Sequence, residues 1–233
     1  MTDSATTELK DKYIERYRRL HTGEEGFIQR GSPEQAIQTK STPFELFSGI
    51  QFVRKFMDDM KNIVLREKSI SLLDYGCGKG QHLWRTHDQF KHGVLGALGH
   101  GIREVRLYDP AVAAFSKPAL NSNYQVVTCA DVMEHVPAPA VQDVLEDIAS
   151  KLCGESKHVY LLFSISRLPA FKSFADGENL HCTLRPMNWW ADAISRAVLK
   201  PHTNADNPNR VVEVILYLTT ESIVERRQWI VQK

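Results

Sequence analysis

Cysteine is scarce in this sequence. The chain has four, at Cys77, Cys129, Cys153 and Cys182, and no two of them form a CxxC pair. Structural zinc sites and disulfide frameworks use characteristic cysteine spacings, so neither is expected here. Free thiols suit a reducing compartment, and the polar segment that ends near Tyr13 lacks the apolar core of a signal peptide. We therefore expect a cytoplasmic protein.

Two further features are missing, long apolar runs and an excess of one charge. No apolar run approaches the roughly 20 residues that a membrane helix needs, so no membrane partner is expected. Lys and Arg total 29 against 28 for Asp and Glu, a net charge of +1. That balance does not favour nucleic acid as a partner, although it excludes no local basic patch. Hydrophobic residues make up 42% of the 233, enough to bury the core of a globular domain.

Short apolar runs alternate with helical patterns along the chain. Strands are predicted at 70–74, 104–108, 124–129 and 159–164, and a closing antiparallel pair at 211–218 and 225–231. A helix is predicted to begin at Thr42, with Pro43 in its first turn and Glu45 completing a capping box. The alternation predicts an α/β fold with a mainly parallel sheet flanked by helices. We expect residues 1–67 to form an N-terminal helical extension or lid and residues 68–233 to form the main domain.

A glycine-rich turn follows the first of these strands, in the segment Asp74-Tyr75-Gly76-Cys77-Gly78-Lys79-Gly80. Glycines let the backbone turn tightly and approach a ligand, and the N-terminus of the next helix offers free N–H groups. The next predicted strand ends at Asp109, where a carboxylate is placed to accept both ribose hydroxyls of a nucleoside. Substitution of Asp109 by alanine is expected to abolish cofactor binding with little loss of folding.

In order along the chain, the segments D-x-G-x-G-x-G, LYDP, VVTCADVMEHVP and VYLLFSIS resemble the motifs of class I S-adenosylmethionine (SAM) dependent methyltransferases. The resemblance implies a Rossmann-like fold, with the C-terminal antiparallel pair as its reversed hairpin, and SAM as cofactor. The implied SAM-binding residues are Asp74, Gly76, Cys77, Gly78, Gly80, Asp109, Pro110, Ala130 and Asp131. Between Asp109 and Asp131, the helix and strand that this family usually has are expected to be shortened or missing, so no adenine ligand is assigned.

The segment from Asp131 to His135 carries the densest set of reactive groups. If Asp131 begins a helical turn, Glu134 and His135 share its face. Two carboxylates and an imidazole suit Mg²⁺ or Mn²⁺ rather than structural zinc. His181, in a polar loop after the fourth strand, is expected above the same sheet edge. Without a metal these groups would instead cap the helix or contact the cofactor, and both interpretations stay open.

The same segment adds to the resemblance. An E-x-x-E-H motif with a later histidine is typical of metal-dependent small-RNA 3′-terminal 2′-O-methyltransferases, and ubiquinone-type O-methyltransferases have a similar E-x-x-E-H. This chain has an aspartate in place of the first glutamate, and the shorter side chain alters the metal geometry. The implied metal ligands are Asp131, Glu134, His135 and His181.

These observations lead to a functional hypothesis, a SAM-dependent methyltransferase acting on a hydroxyl of a small-molecule or glycan-like acceptor. A metal would bind adjacent acceptor oxygens and lower a hydroxyl pKa. Without one, His135 or His181 would be the general base and thus a catalytic residue. Three alternatives remain: a metal-free N- or carboxyl-methyltransferase, an RNA ribose 2′-O-methyltransferase, and a SAM-binding module without catalysis.

Overall fold

The computed structural model describes residues 4–30, 37–38, 49–80, 101–117, 124–152, 157–200, 210–221 and 223–232. Cys153, the helix start expected at Thr42 and the helix expected after Gly80 lie outside these ranges. None of the helices within the described ranges has the length and apolar character of a membrane span.

The secondary structure follows the expected alternation. The helices are α1 (Ser4–Thr22), α2 (Gly49–Glu67), α3 (Val141–Ser150) and α4 (Met187–Leu199). The strands are β1 (Phe27–Gln29), β2 (Ile37–Gln38), β3 (Ile70–Tyr75), β4 (Ile102–Tyr108), β5 (Val126–Ala130), β6 (His158–Ser166), β7 (Lys172–Phe174), β8 (Val211–Thr219) and β9 (Val224–Gln232).

The larger sheet confirms the predicted α/β fold. Its described strands lie in the order β4-β3-β5-β6-β8-β9, and all neighbours are parallel except the β8–β9 pair. The chain passes from β3 to β4 on one side and returns to β5 on the other. Such a switch point opens a crevice at the carboxyl ends of the strands, which is where open α/β sheets bind ligands.

Helices cover both faces of this sheet. Apolar residues of α3 and α4 pack on one face, among them Leu145, Ile148 and Trp190. The apolar stripe of α2, which includes Met60 and Ile63, packs on the other face. β3 is buried along its whole length, as expected for a strand covered on both faces.

A smaller antiparallel sheet, β2-β1-β7, was not expected from the sequence. Its strands have two or three residues, which is too short for an alternating pattern to be recognised. It joins the N-terminal segment to the loop after β6, and a small apolar cluster that includes Leu20, Phe174 and Leu180 packs it against α1. This loop carries His181, so the second sheet fixes α1 close to the candidate site.

Candidate functional site

The glycine turn begins directly at the carboxyl end of β3. Gly76, Gly78 and Gly80 all have positive φ angles, of 76°, 55° and 67°. The turn is tied to the end of β4, because the Gly76 and Cys77 amides both donate to the Tyr108 carbonyl oxygen, at 2.7 and 3.1 Å. A Cβ atom on Gly76 would lie 2.3 Å from Cγ2 of Val132. Glycine is therefore required here both by backbone conformation and by close packing against the loop after β5.

Asp109 joins two turns through its carboxylate. Oδ2 accepts from the Gly78 amide and Oδ1 accepts from the Ala111 amide, both at 2.8 Å. The side chain is nearly buried, and burial raises its pKa while the two amide hydrogen bonds oppose that shift. A carboxylate has about four acceptor positions, so each oxygen can still accept a hydrogen bond from a ligand.

A cavity of about 370 Å³ lies at this edge of the sheet. Half of the sequence-predicted site residues line it, namely Gly76, Gly78, Asp109, Pro110, Asp131 and His135. The volume falls in the range of about 300–1,000 Å³ that is usual for small-molecule sites.

Four of the other predicted residues lie next to these elements but outside the cavity lining. Asp74 is buried, and its Oδ1 accepts from the Thr128 hydroxyl at 2.8 Å, which links β3 to β5. The Cys77 thiol is buried, and burial raises its pKa. A Cβ atom on Gly80 would lie 2.9 Å from the Leu107 side chain, and Ala130 packs on the far face of the sheet. None of these four residues is among those that line the cavity.

Asp131 does not begin a helical turn as the sequence analysis supposed. Its φ is +54°, in the left-handed region that aspartate tolerates better than most residues. Its amide donates to the Ser164 carbonyl oxygen, and its Oδ1 accepts from the Ser164 hydroxyl. A short 3-10 turn, Met133–His135, follows. The change of backbone direction separates Asp131 from the two residues with which it was expected to share a face.

Glu134, His135 and His181 do come together. One ligand atom from each lies within 4.8 Å of the others, and Asp131 is not part of this group. The 3-10 turn holds the first two residues, and the Thr183 amide donates to the Glu134 carbonyl oxygen, which brings the His181 loop alongside. The His135 and His181 rings meet edge to face, with centroids 4.7 Å apart.

Both imidazoles are oriented by backbone carbonyl groups. Nδ1 of His135 lies 2.9 Å from the Leu180 carbonyl oxygen, and Nδ1 of His181 contacts that of Leu168. A carbonyl oxygen only accepts, so each ring must carry its proton on Nδ1 and keep the lone pair on Nε2. Metal-binding histidines commonly show this arrangement, because the outer hydrogen bond fixes both tautomer and orientation.

The charge states in this group reflect burial. Glu134 is fully buried, and desolvation raises its pKa to about 8. Its Oε1 accepts from the Ser166 amide at 2.9 Å, whereas its Oε2 has no hydrogen-bond partner within the described ranges. Burial, and secondarily His181, lowers the pKa of His135 to about 3, and burial also lowers the pKa of His181. The group thus holds two neutral imidazoles and one carboxyl oxygen without a partner.

These three residues fit a divalent cation. One carboxylate oxygen of Glu134 and one ring nitrogen of each histidine converge. A dication would favour the ionised carboxylate that burial alone disfavours. With Asp131 outside the group, the donor set is two nitrogens and one oxygen. Imidazole suits transition metals better than it suits Mg²⁺, so this set favours Mn²⁺ of the two cations expected from the sequence.

Sequence reasoning missed one wall of the cavity. That wall is a single face of α1, formed by Lys10, Tyr13, Ile14, Tyr17 and His21. These residues recur at steps of three and four, as on one face of a helix. Such spacing does not show which surface of the protein the helix covers. Burial, together with the nearby Lys79 charge, lowers the pKa of His21 to about 4, so this imidazole is neutral at neutral pH.

A second missed contribution comes from the opposite side of the cavity. Asp143 and Asp147 on α3 line it, and so do Tyr75 and Tyr108 at the ends of their strands. The Tyr75 hydroxyl donates to Oδ2 of Asp147 at 2.8 Å, and the two tyrosine rings lie 5.0 Å apart. Tyr75 and Tyr108 lie within the D-x-G-x-G-x-G and LYDP segments, but the sequence assigned them no role. The two aspartates lie outside every motif, so the sequence carried no signal for them.

Comparison with known proteins does not assign the chain to a family. No protein-family model matches this chain, and no curated protein matches it.

Proposed function

We propose that the protein is a SAM-dependent methyltransferase that methylates a hydroxyl group of a small-molecule acceptor with the help of a divalent cation. One observation carries the proposal: His135 belongs both to the cavity lined by the glycine turn, Asp109 and Asp131 and to the group formed with Glu134 and His181. A cofactor site and a cation site would therefore share a wall.

The cavity has the features that a nucleoside cofactor needs. The turn at Gly76 and Gly78 brings backbone to its edge, and the Asp109 carboxylate keeps acceptor positions for ribose hydroxyls. The Asp131 side chain at the same wall would provide a carboxylate near a positively charged sulfonium. When bound, SAM supplies a methyl group on that sulfonium, and the chain's task is to hold the acceptor oxygen in line with it.

The second part of the proposal concerns removal of the acceptor proton. Glu134, His135 and His181 would hold a cation by three ligand atoms, which leaves coordination positions for acceptor oxygens. A bound cation lowers the pKa of a coordinated hydroxyl by several units. Because the pKa of His135 is about 3, this imidazole is too weakly basic to accept the proton efficiently by itself. The low basicity of His135 favours cation-assisted proton removal over general-base catalysis by this imidazole.

The experiment is calorimetric titration of the full chain with S-adenosylhomocysteine (SAH), first in chelator and then in Mn²⁺. We expect binding in the micromolar range in both buffers. We also expect a separate heat when Mn²⁺ alone is added to the parent protein, and its loss in Glu134→Gln.

The controls separate the two parts of the proposal. SAH binding without a Mn²⁺ heat would contradict the cation site and would support the alternative of a metal-free methyltransferase. Absence of SAH binding in both buffers would contradict the cofactor assignment. SAH release from SAM with hydroxyl-bearing acceptors, measured by mass spectrometry, then distinguishes an enzyme from a binding module.

A further inference from the structure

Tyr17 of α1 contacts the candidate cation site from behind. Its hydroxyl oxygen lies 2.7 Å from Nδ1 of His135 and 2.9 Å from the Leu180 carbonyl oxygen. Its ring packs edge to face on those of His135 and Phe174, with centroid distances of 5.3 and 5.5 Å. Tyr17 is thus a residue through which α1 contacts the Glu134–His135–His181 group directly.

The direction of these hydrogen bonds follows from the chemistry of the partners. Nδ1 of His135 carries a proton because it faces the Leu180 carbonyl oxygen, so the Tyr17 oxygen accepts from it. The Tyr17 hydroxyl proton is then free to donate to the same carbonyl oxygen. Tyr17 and Leu180 together fix the imidazole on the side opposite Nε2, the atom available to a cation.

The same helix also contacts the loop that carries His181. The Tyr13 hydroxyl donates to Glu178, and the Arg16 guanidinium pairs with Glu178 and Asp176. One face of α1 thus contacts one histidine of the group directly and the other through its loop.

We infer that Tyr17 is a positioning residue for the cation site, and that docking of α1 and binding of the cation stabilise each other. The inference rests on the cation site of the proposed function. Outer hydrogen-bond partners of metal-binding histidines typically contribute about 10–100-fold to metal affinity. Since Leu180 would still hold Nδ1 in a Tyr17→Phe variant, the lower end of that range applies. Coupling between two binding events is reciprocal, so the cation in turn holds α1 in place.

The test uses Mn²⁺ alone as the probe and has two readouts. The first is the Mn²⁺ dissociation constant of the parent, of Tyr17→Phe and of a control, Tyr160→Phe. The control removes a hydroxyl that donates to Glu67 on the other face of the sheet. The second readout is hydrogen–deuterium exchange of α1 with and without Mn²⁺, which needs no turnover.

We expect Tyr17→Phe to weaken Mn²⁺ binding by about 10-fold, and Tyr160→Phe to bind as the parent does. We also expect Mn²⁺ to slow exchange of the α1 amides in the parent and in Tyr160→Phe, and to slow it less in Tyr17→Phe. Parent-like Mn²⁺ affinity in Tyr17→Phe, or equal slowing of α1 in all three proteins, would overturn the inference and leave the proposed function standing. A parent protein that binds no Mn²⁺ would overturn the cation site itself, and the inference with it.

Discussion

Gly76 has no room for a side chain. An alanine there must adopt a φ near +76° and place its Cβ atom 2.3 Å from the Val132 side chain. Gly177 offers a matched comparison, because it also has a positive φ, of 89°, but nothing lies within 4 Å of its Cβ position. A positive φ costs an ordinary residue about 1–2 kcal/mol, and forced overpacking adds about 1–3 kcal/mol.

We therefore predict that Gly76→Ala lowers the free energy of unfolding more than Gly177→Ala does, by at least about 1 kcal/mol. Urea unfolding of both variants measures the difference. Equal losses would mean that the turn moves away from Val132 and that close packing is not the constraint at Gly76.

Asp109 has a structural role in addition to the proposed one. Alanine at this position would leave the Gly78 and Ala111 amides without their acceptor, and each unsatisfied buried donor costs about 1–3 kcal/mol. We thus revise the expectation that folding is little affected, and predict that Asp109→Ala loses both SAH binding and stability. Urea unfolding and SAH calorimetry check the two effects, with the exposed Asp192→Ala as control. Retained SAH affinity in a folded Asp109→Ala protein would contradict the ribose assignment.

Glu134 should make stability depend on pH in the absence of a cation. Its pKa is raised from 4.5 to about 8 in the folded protein, so the contribution of the neutral carboxyl is lost as pH rises through that value. The lowered pKa of His135 acts in the opposite direction, but only as pH falls below 6.5. Between about pH 6.5 and 8, Glu134 is the member of this pair that determines the slope.

In chelator, we predict that the free energy of unfolding falls by about 1–2 kcal/mol from pH 6.5 to 8. The decline should be absent in Glu134→Gln, and Mn²⁺ should remove it from the parent by binding the carboxylate. Denaturant unfolding across this pH range provides the measurement. The same decline in Glu134→Gln would assign the effect to another group.

At the level of elements, α1 and the loop after β6 stabilise each other. The Arg16 guanidinium lies 3.6 Å from the centroid of the Phe174 ring and pairs with two carboxylates of the loop. Those carboxylates are substantially exposed, so the ion pairs contribute little. The contact with the buried Phe174 ring is the larger contribution, about 1 kcal/mol.

We predict that Arg16→Met accelerates hydrogen exchange in residues 171–182, where Phe174 and His181 lie. Arg18→Met is the control on the same helix, because Arg18 pairs only with nearby Glu15 and Glu24 in the described hydrogen bonds. Exchange that is equally fast in both variants would show a general loosening of α1 instead of the loss of one contact.

The elements also show what a sequence can predict. Strands with several periods of their pattern, such as β6 and β8, appear close to the expected bounds. The strands of two or three residues in the smaller sheet are specified by pairing with distant segments, and local pattern carries no such information. The left-handed backbone of Asp131 is a similar case, since it depends on its hydrogen bonds to Ser164.

For the molecule as a whole, the sequence predicted the sheet and the edge at which the motifs meet. Parallel strands bring their carboxyl ends together, so Gly76, Asp109 and His135 were bound to lie near one another. Whether a residue lines the cavity or supports its wall depends on side-chain packing, which spacing does not reveal. The contribution of α1 was equally hidden, because it depends on how the N-terminal helix docks on the finished sheet.

The most direct test of the account is a crystal structure of the full chain with SAH and Mn²⁺, with the cation located by its anomalous signal. We predict SAH in the cavity between the glycine turn and α1, with its ribose on Asp109, and the cation on Glu134, His135 and His181. SAH bound elsewhere, or this cavity empty at saturating SAH, would contradict the proposal that this edge of the sheet is a methyl-transfer site.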